Sequence, residues 1–170
     1  KPVTVEYGVT GGTAEAGKQY AAKGSSLTFA PGETVKDIEI TVKDDGVKRD
    51  DTTIEVSLKN PTGAVLGSTA VHTYTIIDSS PEPSVTFTTA SQQVKENAGK
   101  ATIGVELSAV SGRDVVVPLL TGGTARTPGN YTMTPGPLVI KAGQRSASVT
   151  VNVTDNKVNE DDKTVVVSMG

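Results

Sequence analysis

Cysteine is absent from the 170 residues, which excludes disulfide frameworks, thiolate zinc sites and cysteine nucleophiles. Tryptophan is also absent, and aromatic residues make up only 4% of the chain. Tight interfaces lean on Tyr, Trp and Arg anchors, so avidity from repetition is expected over one strong contact. Basic charge is scarce too: 16 Lys and Arg face 19 Asp and Glu, a net charge of −3. That balance leaves no positive field to hold nucleic acid or an anionic membrane surface. No apolar run approaches the roughly 18 residues of a membrane-spanning helix, so no membrane insertion is expected in this segment. His72 is the single histidine, too few for a hydrolase triad or a histidine metal site. With neither methionine nor a signal-like segment at Lys1, the chain reads as a processed or excised piece.

What the chain does have is a repeat. Displaced by 111 residues, Gly11-Gly12-Thr13-Ala14 and Tyr20 fall on Gly122-Gly123-Thr124-Ala125 and Tyr131 without a gap. Leu27, Gly32, Val42, Asp44, Asp51, Thr53 and Val56 then fall on Leu138, Gly143, Val153, Asp155, Asp162, Thr164 and Val167. A fixed period of this length means one folded unit used more than once. Within each unit apolar residues alternate with polar ones: Val3, Val5 and Tyr7; Ile38, Ile40 and Val42; Ile54, Val56 and Leu58; Val149, Val151 and Val153. Period-two alternation marks antiparallel strands with one face on a core and one in water. Turn residues punctuate the runs at Pro31-Gly32, Asp45-Gly46, Asn60-Pro61, Asn97 to Gly99 and Pro135-Gly136-Pro137. Ala14 to Ala22 is the one stretch with helical composition, but its counterpart carries Pro128 and Gly129, so both are expected to be loops.

The predicted fold is all-β, as tandem Greek-key, immunoglobulin-like sandwiches. The predicted domains are 1–79, a sandwich without its first strand segment, and 84–170, a sandwich without its last. Residues 80–83, with Pro81 and Pro83, form the linker between them. Sheet edges left open in such units would accept a strand from another chain, as in a filament.

In order and twice over, these blocks resemble the Calx-beta family, the sandwich repeat of sodium–calcium exchangers and many bacterial surface proteins. The resemblance rests on Gly12-Thr13-Ala14, Gly17 and Tyr20, then Leu27 to Glu33 and the strand Ile38 to Val42 leading into Asp44-Asp45. The second copy offers Gly123-Thr124-Ala125, Tyr131 and the strand into Asp155, and adds the opening segment Val94 to Gly99 followed by Ala101 to Leu107. The resemblance implies calcium binding at one end of each sandwich. Its ligand pattern is an opening Glu, an Asp before the loop Tyr, an Asp triplet with a following Glu, and a closing Asp cluster. Calcium takes six to eight oxygens, which clustered loop carboxylates supply.

Transferred residue by residue, the pattern is eroded. The first unit keeps Asp44, Asp45 and Asp78, but has Gly46 for the third Asp, Arg49 for the Glu, Gln19 for the loop Asp, and Ser79 and Ser80 after Asp78. The second keeps Glu96, Asp155 and Glu160, with Asn130 and Asn156 at two ligand positions and Lys157 where a third Asp would sit. An ammonium repels the ion and has no lone pair to offer. Solvated loop acids are the competing reading, and these substitutions favour it. No other cofactor is expected.

Asp50-Asp51 and Asp161-Asp162 recur at one turn of both units, so a turn role explains them better than glycoside cleavage. No enzyme is expected. The sequence points to a structural or adhesive repeat of a secreted or cell-surface protein. Its expected partners are copies of itself, neighbouring repeats, or surface glycans and proteins. The alternatives are a calcium-binding regulatory module and a carbohydrate-binding appendage of a larger extracellular enzyme.

Overall fold

The computed structural model describes every residue except Pro135, which leaves that part of the expected turn at 135–137 outside the described residues. The chain divides into two compact units, Lys1–Ser80 and Pro81–Gly170. The first unit carries β1 (Val3–Gly12), β2 (Tyr20–Ala22), β3 (Ser25–Phe29), β4 (Ile40–Val42), β5 (Thr52–Thr62) and β6 (Val71–Ile76). The second carries β7 (Val85–Phe87), β8 (Lys100–Leu107), β9 (Val115–Val117), β10 (Leu119–Gly123), β11 (Tyr131–Met133), β12 (Leu138–Ile140), β13 (Ser146–Val153) and β14 (Val165–Met169). A 3-10 turn, Glu96–Ala98, precedes β8.

Each unit is a sandwich. In the first, the sheet β3-β1-β5-β6 faces the pair β2-β4, all antiparallel. Ile54 and Val56 of β5 meet Tyr20 of β2 in the core, with Ile38, Ile40 and Ile76 packed around them. In the second, the sheet β11-β13-β8-β7 faces the pairs β12-β9 and β10-β14. Val105 and Leu107 of β8 meet Val117 and Ile140 there, with Phe87, Leu119 and Met169 at the margin. β-Branched side chains suit these surfaces because their stiff χ1 lies well on a half-buried pleat. Burying Ile54 completely is worth about 2 kcal/mol of transfer free energy.

The two units reuse one set of local devices. Gly12 and Gly123 sit at φ 110° and 105°, where a Cβ would lie 2.2 Å from the carbonyl oxygen of Thr53 and of Thr164 respectively. Only glycine tolerates both that dihedral and that approach. The Ala14 and Ala125 amides donate to those same carbonyls at 2.9 and 3.0 Å. Thr13 and Thr124 hydroxyls accept from the Thr53 and Thr164 amides at 3.0 and 2.9 Å. Tyr20 pairs with Val42 just as Tyr131 pairs with Val153. Neither neighbourhood is helical, as the Pro128 argument required.

Differences between the units have local causes. β1 runs unbroken, whereas its counterpart is split into β9 and β10 at Pro118, which has no N–H for a ladder. The expected strand Ile38 to Val42 is shorter than its alternation suggests, since only Ile40–Val42 is laddered. β13 lies between β11 and β8 and buries Val149 and Val151, while among the described residues β4 pairs with β2 alone and leaves Val42 exposed. His72 is exposed on β6, at an edge of its sheet.

Candidate metal centre at the loop ends

The loops that would hold calcium are built before any ligand is considered. In the first unit the Gln19 side chain is 5% exposed and bonded on both sides. Its Oε1 accepts from the Glu15 amide at 2.9 Å, and its Nε2 donates to Thr52 Oγ1 at 3.0 Å. Asn130 does the equivalent in the second unit, its Oδ1 accepting from the Arg126 amide at 2.9 Å. A position where the family pattern expects a carboxylate ligand therefore holds a neutral amide whose oxygen already caps a backbone N–H.

The next loop opens with an Asx turn in both units. Asp44 Oδ1 accepts from the Gly46 amide at 2.8 Å, and Asp155 Oδ1 from the Lys157 amide at 3.1 Å. The third residue of each turn is left-handed, with Gly46 at φ 66° and Lys157 at φ 60°. Lysine is uncommon there, since its Cβ crowds the following carbonyl. One residue on, Asp45 Oδ1 accepts from the Val47 amide at 3.2 Å and Asn156 Oδ1 from the Val158 amide at 2.9 Å.

The loops then diverge in charge while keeping their shape. In the first unit Arg49 Nη2 meets Asp45 Oδ2 at 2.5 Å, with the two side chains 20% and 24% exposed. The Arg49 amide also donates to Asp78 Oδ2, and Ser80 N donates to Asp78 Oδ1 at 2.6 Å. These backbone donors, the Arg49 amide above all, hold the Asp78 carboxyl below the ordinary aspartate range. Asp51 Oδ1 in turn accepts from the Asp78 amide at 2.9 Å, a bond to the segment after β6 and not one within its own turn. A cavity of about 100 Å³ lies among Gln19, Asp44, Asp45, Arg49 and Asp78. The acids flagged in the first unit are thus gathered at one end, Asp45 and Asp78 with both oxygens bonded and Asp44 with one.

In the second unit Glu160 replaces Arg49, and Asn156 replaces Asp45. Glu160 Oε1 accepts from Asn156 Nδ2 and Asn130 Nδ2, both at 3.1 Å, while Oε2 pairs with Lys163 at 2.7 Å. Chiefly the Lys163 ammonium, then the Asn156 amide, lowers the Glu160 carboxyl. Asp155 Oδ2 pairs with Lys157 Nζ at 2.8 Å, which lowers the acid and raises the amine. Lys157 is 84% exposed and reaches in from water. Glu96 opens the 3-10 turn, which is tied to the end of β13 where the Val153 amide donates to Gly99 O at 3.0 Å. Glu160, Asn130 and Asn156 are joined directly, Asp155 flanks them in sequence, and no bond links Glu96 to the group among the described residues.

Sequence reasoning placed Arg49 and Lys157 in these loops but missed Lys163 and the pairings the cations make. The pairings of Arg49 with Asp45 and of Lys163 with Glu160 could have been sought from the four- and three-residue spacings within one turn. Nothing in the sequence signals the link from Asp51 to the Asp78 amide, which depends on how β5 and β6 end.

The Calx-beta domain profile matches the chain twice, over residues 1–80 and 78–170. The chain belongs to the Calx-beta family. It is 29% identical to sodium/calcium exchanger 1 of Bos taurus over 99% of its own length, and 27% identical to sodium/calcium exchanger Calx of Drosophila melanogaster over 98%. It spans 19% and 18% of those two proteins. Among solved structures it is similar to CBD12 from CALX1.2, with 26% identity, a TM-score of 0.47, and coverage of 99% of this chain and 67% of that one.

The two Calx-beta units meet the calcium site implied by the sequence resemblance differently. Among the described residues no three His, Cys, Asp or Glu side chains converge as a metal would require. The first unit does not fit calcium: a guanidinium stands within the acidic group, and the carboxylates satisfy backbone amides. The second unit fits a hard cation in its donor chemistry, with two carboxylates and two carboxamides at one loop end. It falls short of a full oxygen shell, and ligand count is one of the terms that separates weak calcium sites from tight ones.

Proposed function

We propose that this pair of domains is a calcium-binding regulatory module in which the second unit responds to the ion and the first holds its conformation without it. The observation that carries this reading is the gathering of Glu160, Asn130 and Asn156 next to Asp155, under a family match that covers both units. The similarity to ion exchangers over nearly the whole chain supports it over the adhesive or filament reading. Asp155, Glu160, Asn130 and Asn156 would hold the ion, with water completing its shell. Calcium bound there would supply a divalent charge that draws acids from adjoining loops together.

The protein's own residues set how readily that happens. Lys157 competes for Asp155, but an exposed ion pair is screened by water and is displaced cheaply. Lys163, with 31% of its side chain exposed, is the stiffer competitor at Glu160. Both amide oxygens are engaged with backbone N–H groups, so the asparagines must turn or share to ligate. These costs argue for a response to millimolar rather than submicromolar calcium.

Calorimetric titration of the full chain tests this. Saturable heat at millimolar calcium, abolished by Glu160→Gln with Asp155→Asn, is the expected result. No heat, and no shift of the second unit's amide resonances at 10 mM calcium, a concentration about tenfold above the weak range, would remove the reading.

A further inference from the structure

In the first unit we propose that the Arg49 guanidinium is the resident cation: it occupies Asp45 inside the acidic loop and makes that loop end insensitive to calcium. The inference concerns a different unit from the calcium response proposed above, and it stands on the geometry of residues 44–51 and 78–80.

Arg49 binds on two sides. Its Nη2 meets Asp45 Oδ2 at 2.5 Å, and its Nε donates to Val47 O at 3.4 Å, folding the side chain back along its own loop. Its amide meets Asp78 just beyond β6, and the Asp78 amide returns to Asp51 beside it. The backbone amide thus ties the loop before β5 to the segment after β6, while the guanidinium neutralises the acid within the loop. A divalent ion at such a place would be held by the same acids and would tie the same segments. The guanidinium supplies positive charge as a fixed part of the chain, without a bound ion.

The second unit serves as the internal comparison. There the position of Arg49 is Glu160, that of Asp45 is Asn156, and the contact between them persists at 3.1 Å. The cation inside the loop has moved to Lys157, the counterpart of Gly46. Only 20% of the Arg49 side chain is exposed, against 84% for Lys157. A partly buried, planar guanidinium held by a carboxylate and a carbonyl is hard to displace; a solvated ammonium is not. The asymmetry therefore assigns the two loop ends opposite cation behaviour from one backbone design.

The test uses the full chain and reads amide resonances by NMR. In the native protein at about 5 mM calcium, the Gly46, Val47, Asp78 and Ser80 amides should not shift. Arg49→Glu, which copies Glu160, should make them shift saturably, while Arg49→Lys should leave them silent. Saturable shifts in the native protein would overturn the proposal, and so would a folded Arg49→Glu chain whose first unit ignores calcium. Should Arg49→Glu fail to fold, Arg49→Gln decides. Hydrogen exchange at Val47, whose amide donates to the Asp45 carboxylate held by the guanidinium, should rise about tenfold, the effect of losing one charge-assisted contact, and unchanged exchange would overturn the proposal. Signals of the second unit report its own calcium response in the same spectra, so either reading can fail alone.

Discussion

At the scale of single residues, conformation and charge are set by a few positions whose neighbours leave no alternative. Gly12→Ala or Gly123→Ala puts a Cβ 2.2 Å from a carbonyl oxygen at a positive φ, so each should cost about 2 kcal/mol or more. A denaturant melt would show it as a lowered midpoint with an unchanged slope. Lys157→Gly restores the residue type that the first unit uses at this turn and removes the competing ammonium. It should strengthen calcium binding by the second unit while leaving its fold intact, which a titration of the variant checks. Asp78 provides a pH handle. Its carboxyl is depressed in the folded state by backbone donors, so its contribution is present above the unfolded value of about 3.9 and is lost as pH falls through the folded value. The Arg49 and Ser80 amide resonances should therefore move only in strongly acidic solution. A transition near neutral pH would contradict that assignment.

At the scale of elements, strands came from alternation and their limits came from partners. Ile54 and Val56 could be placed in the core from spacing alone, because a strand with one wet face must bury every second residue. Ile54→Ala, at a side chain with 0% exposure, should lower the stability of the first unit by about 2–5 kcal/mol, read from its own unfolding transition. The repeat made the loops legible as well, since a proline at position 128 ruled out a helix at 14–22. Ladder length was not legible: nothing in Ile38 to Val42 tells that only three residues pair, for that depends on whether a second strand lies alongside. The acidic loops were half legible. Their residue types suggested calcium, but whether an acid is free for a ligand depends on which amide N–H it already caps, as with Asp44 and Asp78.

At the scale of the molecule, two units with separate cores carry one loop design with two charge arrangements. A ligand that binds only the native form of one unit stabilises that unit alone, by about 1.4 kcal/mol at ten times its dissociation constant. Differential scanning calorimetry with and without calcium therefore tests the central claim most directly, with the transition lowered by Ile54→Ala marking the first unit. The expected result is an upward shift of the second unit's transition in millimolar calcium while the first stays where it was. A shift of the first unit's transition, or none in either, would contradict the account.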